Sequence, residues 1–323
     1  MSAVVVLIET EGDGVGLVSQ EALTFARRLG DPVYALVLGH ATPGVVADCQ
    51  TQGVAAIFDC ENEELGAYSG AGWAVALASV VEAAGDVAAV VAGGTPRGNE
   101  VLAHLAARRD LPMAANVVAV ASQPGAPLEV ERQVVGGSAI ERASLGAGTA
   151  VLTVAGHALD PEPAAAPGGA AVLPFAVDFA PEDLRAVVAR MQAREGGDAS
   201  GLTSARIVVG AGRGAGGPDG FGPVDALAER LGGAVGVSRV VTSLGWRPHH
   251  EQVGQTGSRI SPDVYIACGI SGAIQHWAGM SSSKTIIAIN TDGDAPMVTK
   301  ANYAVVGDMH EVLPALLEEL GSR

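Results

Sequence analysis

Aromatic side chains are scarce in this chain, with five Phe, four Tyr and three Trp in 323 residues. Ala, Gly and Val abound instead, so the interior must be packed from small aliphatic groups. Cysteine is nearly absent. Cys49, Cys60 and Cys268 are widely scattered and have no metal-ligand spacing. That argues against a disulfide framework and for a reducing, cytoplasmic compartment. Cys268, at the end of an apolar run, reads as a small buried residue. No stretch of eighteen uninterrupted apolar residues occurs, so no membrane insertion is expected. The start, Met-Ser-Ala-Val-Val-Val-Leu-Ile-Glu, lacks the basic region of a signal peptide and reads as a first strand.

Positive charge is also short, with 19 Lys and Arg against 35 Asp and Glu, a net charge of −16. Residues 1–203 carry −14 of this and residues 204–323 only −2. The acidic half should repel nucleic acid and anionic membranes, whereas the near-neutral half tolerates an anionic cofactor. There is no nucleophile elbow, Walker loop or acid–base constellation, so no catalytic residue is expected. His249-His250-Glu251 looks like a metal cluster. Adjacent histidines on an extended loop point apart, however, and no further Cys or His stands at zinc-like spacing, so no metal is expected.

What is present is alternation. Strand patterns at 4–8, 33–38, 54–58 and 87–92 interleave with helical patterns at 19–29, 45–52, 73–84 and 98–109. Such βαβ alternation predicts a mostly parallel sheet with helices on both faces. Residues 113–120 lead into further strand, and 129–156 hold short β segments, an extension or antiparallel strands. Residues 160–169 read as loop, 181–194 as helix, and 195–204, with Gly196-Gly197, as a linker. At this length two domains are expected, 1–195 and 204–323. The second restarts the alternation as a Rossmann-like α/β domain. Its strands are 205–209, 234–237, 264–268, 285–289 and 301–306. Its helices are 222–231, one beginning at 273–278, and 309–320.

Two polar, glycine-bearing runs stand out: Gln-Val-Gly-Gln-Thr-Gly at 252–257 and Ser-Gly-Ala-Ile-Gln-His at 271–276. Glycine admits close backbone approach, and amide, hydroxyl and imidazole groups orient a polar ligand. Ser271 and His276 follow the strand 264–268, where open α/β sheets bind ligands. A helix opening there would turn backbone N–H groups toward an anion. Residues 210–217, Gly-Ala-Gly-Arg-Gly-Ala-Gly-Gly, lie between strand and helix, either as a phosphate loop or as a plain turn. Arg239, where an NAD protein would place an acid, suits a 2′-phosphate and leaves an NADP-binding enzyme open. A surface arginine fits as well. Asn290 also reads as ordinary turn sequence, and Asp308 as the cap of the last helix.

Gly212-Arg213-Gly214, Val237-Ser238-Arg239, the runs 252–257 and 271–276, Ala288-Ile289-Asn290 and Gly307-Asp308 occur in this order. Together they resemble the electron transfer flavoprotein α subunit family. The similarity is close over 203–320 and looser over 1–198, where 93–100 and 132–139 also fit. The resemblance implies one non-covalent FAD in the C-terminal domain, with Arg213 and Ser238 among its contacts and Arg239 near the isoalloxazine ring. Val253, Gly254, Gln255 and Thr256 would line the flavin, the Thr256 hydroxyl at its N5 edge. Ser271, Gly272, Ala273, Ile274 and Gln275 would hold the phosphate and ribityl regions. His276 would make a charge-assisted hydrogen bond near the C2 carbonyl, and Asn290, Asp308 and Met309 would face the adenosine. The resemblance also implies a β subunit, electron entry from flavin dehydrogenases such as acyl-CoA dehydrogenases, and exit toward a membrane quinone reductase. An electron-bifurcating relative using NADH and a second FAD stays open. Ser258, Thr291 and Met309 depart from the family's usual Lys, Lys and Leu, and the lost positive charge bears on partner choice.

Overall fold

β1 (Ala3–Ile8) is apolar at every position because both of its faces are covered. Val4, Val6 and Ile8 enter one core cluster, and Ala3, Val5 and Leu7 enter the other. The computed structural model describes residues 2–62, 65, 68–121, 127–137, 139–146, 148–189 and 199–321. It divides into two compact units, residues 1–133 with 140–192, and residues 134–139 with 193–323.

In the first unit β1 is followed by a small ribbon, β2 (Thr10–Glu11) and β3 (Gly14–Val15), and then by α1 (Leu17–Ala26). Next come β4 (Val33–Leu38), α2 (Pro43–Thr51), β5 (Ala56–Cys60), α3 (Gly70–Ala84), β6 (Val87–Gly93) and α4 (Pro96–Arg109). Thr42, Ser69 and Thr95 cap α2, α3 and α4 by accepting the N–H groups of Val45, Gly72 and Gly98. The remaining strands are β7 (Met113–Ala121), β8 (Leu128–Val134), β9 (Ala139–Leu145), β10 (Ala150–Val154) and β11 (Ala171–Pro174). They form a nine-stranded sheet in the order β11-β5-β4-β1-β6-β10-β7-β8-β9. Pairing is parallel from β11 to β7, and β8 then runs antiparallel to β7. α1 and α2 pack on one face, α3 and α4 on the other.

Two expectations are corrected here, and one strand is added. Residues 181–189 form turns and irregular chain rather than helix, and 190–194 lie outside the described residues. Asp183 anchors this segment. Its carboxylate binds Arg108 at 2.7 Å and accepts the Ala180 N–H at 3.1 Å, and its carbonyl accepts from Ser69. These contacts tie the segment to Ser69, the cap of α3, and to Arg108 on α4. Within the expected linker, 195–198 lie outside the described residues, but α5 (Ala199–Ser204) is helical and sends Leu202 into the core of the second unit. Edge strand β11 was not anticipated. Its Pro174 is tolerated because an edge leaves backbone N–H groups unpaired.

The second unit continues with β12 (Ile207–Ala211), α6 (Gly222–Arg230), β13 (Ala234–Val237), α7 (Arg239–Ser243) and β14 (Val264–Cys268). It closes with α8 (Ile274–Trp277), β15 (Thr285–Asn290), α9 (Pro296–Lys300), β16 (Tyr303–Val306) and α10 (Met309–Gly321). All five sheet strands are parallel, in the order β13-β12-β14-β15-β16. One face packs on α6 and α10 through Val224, Leu227 and Leu313, and the other carries Leu202, Tyr265, Met280 and Met297. The architecture is therefore α/β in both units, as expected. Burial pushes the thiols of Cys49 and Cys268 up to about 12. Among the described residues, no helix is long and apolar enough to cross a membrane.

Candidate functional site

The second sheet changes direction between β12 and β14. β12 leads through α6 outward to β13, whereas β14 leads the other way, to β15 and β16. Such a switch opens a crevice beyond the carboxyl ends of the strands. A cleft of about 660 Å³ lies there. Its walls come from the loop after each strand: Arg213 after β12, Ser238 after β13, Gly269 after β14, Asn290 at the end of β15 and Asp308 after β16.

The loops approach too closely for side chains. The Gly214 N–H donates to the Gly269 carbonyl at 3.1 Å, and a Cβ on Gly214 would stand 2.5 Å from Gly269 Cα. Gly272 has φ +83°, and a Cβ there would strike the Met297 backbone.

The expected residues gather in this one cleft. Arg213, Ser238, Arg239, Val253, Gly254, Gln255, Thr256, Ser271, Ala273, Gln275, His276, Asn290, Asp308 and Met309 all line it. Gly272 and Ile274 do not: Gly272 is buried beneath the loop, and the Ile274 side chain is 80 % exposed. The helix expected at 273–278 is the single turn α8, so a long aligned stack of peptide dipoles does not stand behind this loop. Asn290 braces the site itself, donating to the Ile270 carbonyl at 3.0 Å and accepting the Asp292 N–H at 3.0 Å. Asp308 accepts the His310 N–H at 2.9 Å, at the start of α10. Glu251 is held by Arg247 at 2.7 Å.

Gln252 was quoted only as the start of its run, yet it is the buried hub of the polar wall. It accepts from the Thr242 hydroxyl at 2.6 Å and donates to the Thr256 hydroxyl at 2.9 Å. With its oxygen accepting from Gln252, Thr256 is free to donate its own proton into the cleft. The hub could have been suspected from its place beside Thr256, but its partner Thr242 lies on α7, a helix the sequence pattern did not reveal.

Two buried polar atoms on the cleft-lining residues have no hydrogen-bond partner among the described residues: Ser238 Oγ and His276 Nδ1. Ser238 occupies the N-cap position of α7, where serine normally accepts a helix N–H, but its hydroxyl makes no such bond. The other ring nitrogen of His276, Nε2, lies 2.8 Å from the Tyr265 hydroxyl. Burial lowers the His276 imidazole from 6.5 to about 4, and a backbone contact with Val253, which falls short of good hydrogen-bond geometry, offsets this only in part. At neutral pH His276 is therefore uncharged, so the charge in the expected charge-assisted bond has to come from the ligand. Charge in the cleft comes instead from Arg213 and Arg239, with Asp292 and Asp308 opposing them. Among the described residues neither arginine has an ion-pair partner.

Residues 4–180 match the family model described as electron transfer flavoprotein domain, and residues 201–281 match the electron transfer flavoprotein FAD-binding domain. The electron transfer flavoprotein subunit alpha of Mycobacterium leprae is 38 % identical over 327 residues, covering 100 % of this chain and 99 % of that protein. The chain belongs to the electron transfer flavoprotein α subunit family. The subunit alpha of Bacillus subtilis is 33 % identical, covering 98 % of this chain and 96 % of its own. That of Pseudomonas aeruginosa is 34 % identical, covering 97 % and 98 %.

As a flavoprotein of electron transport, the chain takes FAD as its cofactor, and its FAD-binding domain supplies most of the loops around the cleft. The residues present suit that group. Glycine-walled loops admit a backbone-hugging ligand, two unpaired arginines suit its phosphates or an electron-rich ring, and Ser238 and His276 leave unpartnered polar atoms for it.

Proposed function

We propose that the cleft at the carboxyl ends of β12 to β16 holds one FAD non-covalently, and that the chain acts as the α subunit of a heterodimeric electron transfer flavoprotein. FAD, when bound, supplies the redox chemistry. The chain's own residues bind it, orient it and set the field around it. Arg239, Thr256 and His276 act at the ring, and residues 271–275 at the phosphate and ribityl chain. Asn290, Asp308 and Met309 act at the adenosine. Electrons enter from flavin dehydrogenases, such as acyl-CoA dehydrogenases, and leave toward a quinone reductase, in a cytoplasmic setting. The observation that carries this reading is the pair of partnerless buried polar atoms, Ser238 Oγ and His276 Nδ1, on the wall of the cleft.

The test is to co-express the chain with a β subunit and record a visible spectrum before and after acid precipitation. One FAD per α chain, released into the supernatant, is expected. Flavin that stays with the pellet overturns the non-covalent claim. A colourless complex that binds NADP through Arg239 overturns the flavoprotein reading. Two FAD per heterodimer with NADH oxidation identifies the bifurcating relative instead.

A further inference from the structure

The His276 ring has two nitrogens with different surroundings, and a residue outside the cleft decides between them. Tyr265 is the second residue of β14, fully buried, and does not line the cleft. Its hydroxyl meets His276 Nε2 at 2.8 Å, with the two ring centroids 6.0 Å apart. Gly210 on the adjacent strand β12 leaves the space for that hydroxyl, which a Cβ there would strike. The phenol is therefore held by the sheet, and the imidazole by the turn of α8, where the His276 N–H donates to the Ala273 carbonyl at 2.9 Å.

Two proton arrangements satisfy the contact. In one, Tyr265 donates to a bare Nε2, and the imidazole proton sits on Nδ1. In the other, Nε2–H donates to the phenol oxygen. The second leaves two groups stranded, a buried phenol proton with no acceptor and a bare Nδ1 with no donor. The first leaves only the Nδ1 proton short of a well-formed bond, with the Val253 backbone as its one protein neighbour, and the buried His276 is a wall of the cleft.

We propose that Tyr265 locks His276 in the neutral Nδ1–H tautomer, making it an uncharged hydrogen-bond donor to the ligand of the cleft. This rests on the reading of the cleft as the FAD site. Free histidine prefers its proton on Nε2, so the lock imposes the less common form. A proton added to Nε2 would face the phenol proton, so the same contact also resists the imidazolium. Tyr265 is thus a positioning residue, acting on bound flavin only through His276.

The test uses the flavin-depleted complex with a β subunit, the α chain labelled with 15N-histidine, and long-range proton–nitrogen spectra at pH 7, with potentials read after FAD is restored. The His276 signal is assigned by its absence in His276→Gln. Nδ1 is expected in the protonated range and Nε2 in the unprotonated range. The reverse pattern, or protons on both nitrogens, overturns the proposal, and this measurement needs no variant of Tyr265. In Tyr265→Phe the pattern is expected to shift toward Nε2–H while one FAD per α chain is retained. The one-electron equilibrium for reduction should then fall roughly three- to tenfold. At 59 mV per tenfold for one electron, that is about 30–60 mV. An unchanged tautomer with an unchanged potential overturns the lock. Failure to bind flavin overturns the FAD reading alone, because the tautomer of His276 is read without flavin.

Discussion

At the scale of the residue, an unsatisfied buried polar atom is a cost the fold carries until a ligand relieves it. Ser238 and His276 both carry that cost on the cleft wall. Ser238→Ala removes an orphan hydroxyl that caps no helix. The flavin-free protein is therefore expected to melt no lower than the unaltered one, while FAD binds about two- to tenfold more weakly. Thermal melts and FAD titrations of the two proteins check both parts, and a lowered melting temperature with unchanged FAD affinity would make Ser238 structural. His276 has a consequence for pH. Its folded value is about 4, below its ordinary 6.5, so the unfolded chain binds the proton more readily. The stabilising contribution is present in full above pH 6.5 and declines as pH falls toward about 4, by on the order of 3 kcal/mol. Urea unfolding of the flavin-free protein across this range should slope more steeply than that of His276→Gln. Parallel curves would refute a neutral, buried His276.

At the scale of the element, the site is made of loop ends held at fixed separations by strands. The loop after β14 must turn at Gly269 (φ +60°) and again at Gly272 (φ +83°), and the second turn presses on the backbone entering α9. Gly272 itself does not line the cleft, so its role is to let the loop pass Met297. Gly272→Ala meets both left-handed strain and a backbone clash. It is expected to destabilise the protein by about 2 kcal/mol or more and to weaken FAD binding together with stability. Chemical denaturation and flavin titration of the variant read these two effects, and a variant as stable as the original would mean the loop can relax. The polar wall has the same logic. Thr242 on α7, Gln252 after β13 and Thr256 form one chain of hydrogen bonds, so the Thr256 hydroxyl is aimed by a side chain four residues before it.

At the scale of the whole molecule, the cleft is built by the second unit from its own five strand ends, and much of its wall is open to solvent. Gln255, Thr256, Ser271 and Gln275 are all exposed. Cofactor sites usually enclose most of their ligand's surface. The isolated chain is therefore expected to lose FAD on dilution, and its complex with a β subunit to retain it. Gel filtration at falling concentration, with absorbance read in the protein and flavin bands, makes the comparison. An isolated chain that keeps one FAD throughout would show that the second unit suffices.

Alternation of strand and helix was legible from the sequence because it is a local property. β1 reads as apolar at every position since both faces of a parallel strand are buried, and α4, expected over 98–109, begins two residues earlier at Pro96. The residues of the cleft were named through the family resemblance, since Asn290 and Asp308 read alone as a turn and a helix cap, and the sheet explains why they meet. In a parallel sheet every loop after a strand opens on the same edge, so motifs far apart in sequence meet there. The tertiary structure alone decided what depends on contacts between distant side chains. Asp183 meets Arg108, 75 residues away, in a segment, 181–189, that reads as helix and folds as turns. Ile274, inside the best motif, points away from the cleft, because one turn of helix cannot aim every residue at one ligand. The protonation of His276 was likewise decided in three dimensions. Neither its neutrality nor its tautomer is written in the motif, since both follow from burial beside Tyr265, a residue that reads in sequence only as part of a hydrophobic strand.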